Sequence, residues 1–170
     1  MNHLATSKED ILAASRDLIK ENGWAAVSIR AVASRCSVSA GTIYNYYESK
    51  ADLLSDTIES IWHEIFFHPE DEQIFHDVES CISWIYERLE YGNRQFPGFF
   101  SLHSFGFMRD EKTSGKKRMM KTWGHILNGL CEVLENDPKV RADVFDQEFT
   151  EKKFADILFS LILVSMIRQD

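Results

Sequence analysis

The stretch from Ser28 to Lys50, SIRAVASRCSVSAGTIYNYYESK, leaves its residues few ways to fold. Ile29, Val32, Ala33 and Cys36 fall at i, i+3, i+4 and i+7, one apolar stripe at the helical period, and Ser28 stands before them as an N-cap. The segment Cys36-Ser37-Val38-Ser39 reads as a turn that drops Val38 inward, and Ser39 caps a second helix from about Ala40 to Tyr46. A helix of about 10 Å does not stand alone in water, so packing must hold it. Ile43 and Tyr47, one turn apart, face the core, and the opposite face carries Gly41, Thr42, Tyr44 and Asn45. This is the plan of a helix-turn-helix.

The outward face is small and polar with one aromatic ring. Glycine in a helix costs about 1 kcal/mol relative to alanine, so Gly41 asks for a reason, and close approach to the edge of a DNA major groove supplies one. Lys50 opens the next helix between Ser49 and Asp52, a capping pair. A cation there opposes the helix dipole, but a lysine at a helix start suits a phosphate.

The pattern A-x-x-x-x-V-S-x-G-T-I-Y-x-Y-Y-x-S-K-x-x-L-L, from Ala33 to Leu54, resembles the signature of TetR-family transcriptional regulators. The likeness runs back through Gly23 and Ser28 to a first helix capped by Thr6 or Ser7, about 55 residues in all. Two positions depart from the family pattern: Ser37 replaces the usual turn glycine and Tyr47 the usual phenylalanine. Neither substitution removes a DNA-facing group.

The resemblance implies an all-α chain: a three-helix head at residues 1–50, joined by a long fourth helix to a ligand-binding and dimerisation body at 51–170. It implies a homodimer on a palindromic double-stranded operator, with recognition helices in major grooves about 34–36 Å apart. Gly41 and Thr42 would approach base edges, and Tyr44 and Asn45 bases or backbone. Ser28, Ser39, Tyr46 and Lys50 would position phosphates, and Arg30 and Ala40 complete the DNA-binding set. A repressor released by a small molecule is the leading reading. The alternatives are an activator with the same head, or a small-molecule binding protein with no role on DNA.

The net charge of −8 is unevenly placed: residues 1–50 hold six Lys or Arg against five acids, and residues 51–170 hold 13 against 22. A weakly basic head on an acidic body favours binding at one face over indiscriminate coating of nucleic acid. The longest apolar run, Ile157 to Ile167, is too short to span a membrane and is broken by Ser160 and Ser165, and the N-terminus has no signal-like region. Three widely spaced cysteines, Cys36, Cys81 and Cys131, argue for a reducing cytoplasm. His63 and His68 are five residues apart, about 140° round a helix, and do not share a zinc as i, i+4 histidines do. With no nucleophile elbow and no phosphate-binding glycine loop, the reading is a non-enzyme without cofactor or metal.

The fourth helix is expected from Lys50 to about Phe67, with Leu53, Leu54, Ile58, Ile61, Trp62 and Ile65 inward. Body helices are expected at 74–91, 98–109, 114–135 and 148–168. Trp62, Phe66, Trp84, Phe100, His103, Phe107 and Trp123 are candidate ligand-lining residues, with His103 and His125 as polar handles. Their aromatic character points to a hydrophobic effector, although for any single one of them core packing is the stronger explanation. TetR-like chains usually end in two helices that bundle with their dimer mates, whereas here Lys153 to Arg168 is the one such helix. It is apolar nearly all round, and Phe154, Leu158, Leu161 and Met166 are the interface candidates.

Overall fold

Four successive helices begin at a serine, and each serine hydroxyl accepts the backbone N–H three residues on. In the computed structural model, which describes residues 6–67, 75, 77–100 and 114–168, every regular element is helical. Helix α1 (Lys8–Asn22) starts at Ser7, whose own N–H is taken by the Asp10 carboxylate at 2.8 Å, completing a capping box. It stops at Gly23, whose φ of 76° suits glycine. A 3₁₀ turn (Trp24–Ala26) leads to α2 (Ile29–Arg35), α3 (Ala40–Tyr44) and α4 (Lys50–Phe66).

The α2–α3 turn closes as a Schellman motif. Ser37 N–H donates to Ser34 O at 3.1 Å and Val38 N–H to Ala33 O at 2.9 Å. The motif requires a left-handed residue, and Ser37 takes it with φ 57°. Helix α3 is shorter than expected, because Asn45 and Tyr46 donate back three residues, to Thr42 O and Ile43 O, instead of four. This tightening carries Tyr47 into the core, where it is buried with Ile43.

The body consists of α5 (Val78–Gln95), α6 (Ser114–Asn136) and α7 (Glu151–Ile167). Helix α5 lies four residues beyond the expected 74–91 because Asp77 is its cap, accepting Ser80 N–H at 2.8 Å. Hydrogen bonds from Ser80, then Lys139, hold the Asp77 carboxyl well below the usual carboxylate range. Buried Asp137 takes the N–H groups of Val78 and Lys139, tying the end of α6 to the start of α5. Helix α7 begins at Glu151 and not at 148, since Asp146 takes the Glu148 and Phe149 N–H groups in a turn before the Thr150 cap. Of the expected helix 98–109, residues 98–100 lie in a turn and the rest falls outside the described residues.

One continuous core runs from Ile11 in α1 to Met166 in α7, with α4 as its axis. All six expected inward residues of α4 are buried. Gly92 lets α5 approach α4 closely: a Cβ there would lie 2.5 Å from Ile65 Cδ1. No helix among the described residues is long and apolar enough to cross a membrane.

Helix α7 is two-faced. Ala155, Phe159, Ile162, Leu163 and Met166 are buried in the chain's own core, whereas Ile157, Leu161 and Val164 are exposed. Met166, at 1% exposure, is therefore not an interface residue; it lies about 140° round the helix from Leu161. Phe154 and Leu158 are half-buried at the margin of the exposed stripe.

Ser37 in a left-handed conformation costs about 1 kcal/mol. Ser37→Gly should therefore raise stability by up to about that amount, less the extra freedom glycine gives the unfolded chain, without changing the fold. Urea denaturation followed by circular dichroism measures it, and a lower midpoint would contradict the strain argument.

Candidate nucleic-acid interface

Helix α3 rests on Ile43 and presents Gly41, Tyr44 and Asn45 to solvent, with Tyr44 at 56% exposure. Thr42 is half-buried on the same face; its hydroxyl lies 3.0 Å from Ser39 Oγ, which also accepts Thr42 N–H. Whichever hydroxyl donates, Thr42 Oγ1 keeps at least one lone pair, so capping α3 does not silence its polar face. Ala40 is half-buried and packs against the core, and Ser28 is occupied as the α2 cap through Ala31 N–H at 3.1 Å.

The head's charges sort into two sets. Lys8 pairs with Asp56 at 2.6 Å, Arg16 with Glu9 and Glu64, Lys20 with Glu64, and Arg35 with Glu21 and Asp17. The Glu21 pair is bidentate, and its hydrogen bonds lower the Glu21 carboxyl and raise the Arg35 guanidinium. Arg30 and Lys50 are exposed and make no ion pair among the described residues. Arg30 lies in the first turn of α2 and Lys50 in the first turn of α4, the helices before and after α3. This division was invisible in the sequence, because the partners are 7 to 48 residues away.

Tyr46 is placed differently from the sequence expectation. Its hydroxyl donates to Thr6 O at 2.7 Å, tying the turn after α3 to the start of α1. The proton a phosphate would need is spent inside the head.

Residues 11–57 match the sequence model of the bacterial regulatory proteins of the tetR family. Those residues belong to the TetR family. The TetR-family head is 38% identical over 48 residues to the transcriptional regulator UidR of Escherichia coli K12, which is 28% of this chain and 24% of UidR. It is 45% identical over 47 residues to the transcriptional repressor KstR of Rhodococcus jostii RHA1, again 28% of this chain and 22% of KstR. These matches therefore span about a quarter of the curated regulators' length. Across the whole fold, the transcriptional regulator FadR of Bacillus subtilis, solved with stearoyl-CoA, superposes with a TM-score of 0.65 at 18% identity over 95% of this chain and 86% of FadR. The relatives are regulators of transcription rather than enzymes, and the fold of the chain, including the body behind the TetR-family head, is that of FadR.

In that body the aromatic residues divide into fillers and liners. Phe100 and Trp123 both pack edge-on against Trp62, with ring centroids 5.8 and 5.7 Å away, so that among the described residues the three form a cluster around Trp62. Phe66 and Trp84 do line a crevice of about 150 Å³ between α4, α5 and α6, with Phe67, Phe75, Cys81, Ile85, His125, Ile126, Gly129 and Leu130. Burial raises the Cys81 thiol to about 11, which keeps it protonated and apolar. His103 and Phe107 fall outside the described residues. His125 stands where a polar handle is expected, whereas Phe67 and Phe75, just outside α4 and α5, join the crevice through tertiary packing that helical periodicity does not encode.

Tyr46→Phe should leave the fold intact but remove the tie to Thr6, costing about 0.5–1.5 kcal/mol. Chemical denaturation gives the energy, and faster amide exchange in the first turn of α1 gives its location.

Proposed function

We propose that this chain is a sequence-specific DNA-binding regulator of transcription, a homodimeric repressor on a palindromic operator that a hydrophobic small molecule releases. The observation that carries the reading is the division of the head's charges: four cations are neutralised within the protein, and two, Arg30 and Lys50, make no ion pair among the described residues and stand beside a short helix with a small polar outer face. Buried or paired cations gain nothing from phosphates, while free ones release counterions on binding. KstR, whose name makes it a repressor, supports the direction of regulation.

In this reading Gly41, Thr42, Tyr44 and Asn45 meet base edges and the adjoining backbone, and Arg30 and Lys50 take phosphates. The domain division at residue 50 is functional, not a break in packing, since head and body share one core. The crevice beside Phe66 and Trp84 is the ligand site; an apolar cavity of about 150 Å³ takes one benzene-sized group. FadR, which shares this fold, was solved with stearoyl-CoA, a molecule with a long apolar acyl chain, and this supports a ligand with an apolar part.

Fluorescence anisotropy against duplexes from the regions flanking the chain's own gene tests the reading. Specific binding should appear at low salt, and its absence from every fragment with folded protein would overturn it. Lys50→Ala and Arg30→Ala should each weaken all sequences alike and reduce the salt slope by about one unit, whereas Thr42→Ala or Asn45→Ala should alter base preference at one or two positions.

The dimer contact is the exposed stripe of α7. Ile157, Leu161 and Val164 stand at i, i+4 and i+7 with 49, 61 and 48% exposure, a seam that water does not favour. Ile157→Glu with Leu161→Glu should give folded monomers in sedimentation. Met166→Asp should instead unfold the chain, because it places a charge in the core.

A further inference from the structure

We propose that Glu64 is a positioning residue that sets the angle of the head on the body. One turn of α4 is gripped from two sides at this residue. On the head side, the Glu64 carboxylate takes Arg16 Nε at 3.1 Å and Lys20 Nζ at 2.7 Å, both from α1. On the body side, the Glu64 and Ile65 carbonyls take the Arg88 guanidinium of α5, Nη2 to Glu64 O at 3.2 Å and Nε to Ile65 O.

These carbonyls belong to the last turn of α4, whose carbonyls have no partner within the helix and where the helix dipole is negative. A half-buried guanidinium answers both needs, and it is held in turn over the Tyr91 ring at 4.8 Å. Lys20 is doubly engaged: besides Glu64, its ammonium lies 4.9 Å from the ring centroid of Phe96, the buried residue that ends α5. Four residues beyond Lys20, Trp24 of the head stacks on Phe99 at 5.8 Å with rings 14° apart. A head hinged on α4 alone would swing about that helix. Here α1 is fastened both to α4 and to the end of α5, and Glu64 is the point where the two attachments meet.

The three side chains are 16 to 29% exposed, so the clasp is partly screened. Ion pairs of this exposure add little to stability. Their geometry nevertheless limits which head angles are occupied, and that limit carries the function.

The test reads the angle directly. Noncanonical spin labels at Ser34 in the head and Glu87 in the body, both exposed, report the intramolecular distance by pulsed electron resonance on full-length chain diluted with unlabelled chain. Glu64→Gln should broaden the distribution, and the double change Arg16→Gln with Lys20→Gln should broaden it in the same way from the other side. Arg35→Gln, which severs an ion pair confined to the head, should not. Unchanged distributions in both clasp variants would overturn the proposal.

The consequence for DNA rests on the regulator reading above. Given a duplex selected by the wild type from a randomised library, Glu64→Gln should cut the preference for the selected half-site spacing over spacings one base pair longer or shorter by about fivefold, the low end of allosteric couplings. An unchanged spacing preference would deny Glu64 its positioning role. A wild type that selects no duplex would refute the regulator reading, while the label distances would still decide the clasp.

Discussion

Trp62, near the end of α4 and 2% exposed, meets the rings of Phe66, Phe99, Phe100 and Trp123 at centroid distances of 5.3 to 5.8 Å. Three of these four contacts are edge-to-face, the arrangement favoured by the ring quadrupole and worth about 0.5–1.5 kcal/mol each beyond the area buried. Through Phe99 the cluster reaches Trp24 in the head, and through Trp123 it reaches Phe159 on α7. The three body helices α5, α6 and α7 each touch this group directly or at one remove. The same packing gives Trp62, Phe100 and Trp123, which look like a ligand box in the sequence, a structural role among the described residues.

Around that apolar axis, charge does a different job. The chain carries a net −8, and within the head most cations are drawn into pairs with acids on α1 and α4. Each pair adds little stability, but pairing removes those cations from competition for an outside anion. The head cations that make no ion pair among the described residues, Arg30 and Lys50, are concentrated on the helices either side of α3. A weakly charged head thereby acquires a localised electrostatic face without becoming a general polycation.

Much of the head was legible from its residues because its determinants are local. The Ser7, Ser28, Ser39 and Ser49 caps, the Gly23 stop, the left-handed Ser37 and the inward Ile43 and Tyr47 all follow from hydrogen bonds or periodicity spanning no more than a few residues. Boundaries failed where a side chain acted as an unrecognised cap: Asp77 moved α5 by four residues, and Asp146 with Thr150 moved the start of α7. The end of α3 failed for a related reason, since a tight turn is needed to bring Tyr47 inward.

The sequence by itself determined the all-helical class, the helix-turn-helix and the outward face of α3, because helical period and capping are properties of neighbours along the chain. Only the tertiary structure decided which cations are free, which aromatic rings fill and which line, that Tyr46 spends its proton on Thr6, and that Met166 belongs to the chain's own core while Leu161 faces out. A helix apolar nearly all round cannot announce which side its own chain will cover. That choice belongs to whichever residues, distant in sequence, arrive against it, and so does the pairing of a charge whose partner stands 48 residues away, as Lys8 and Asp56 do.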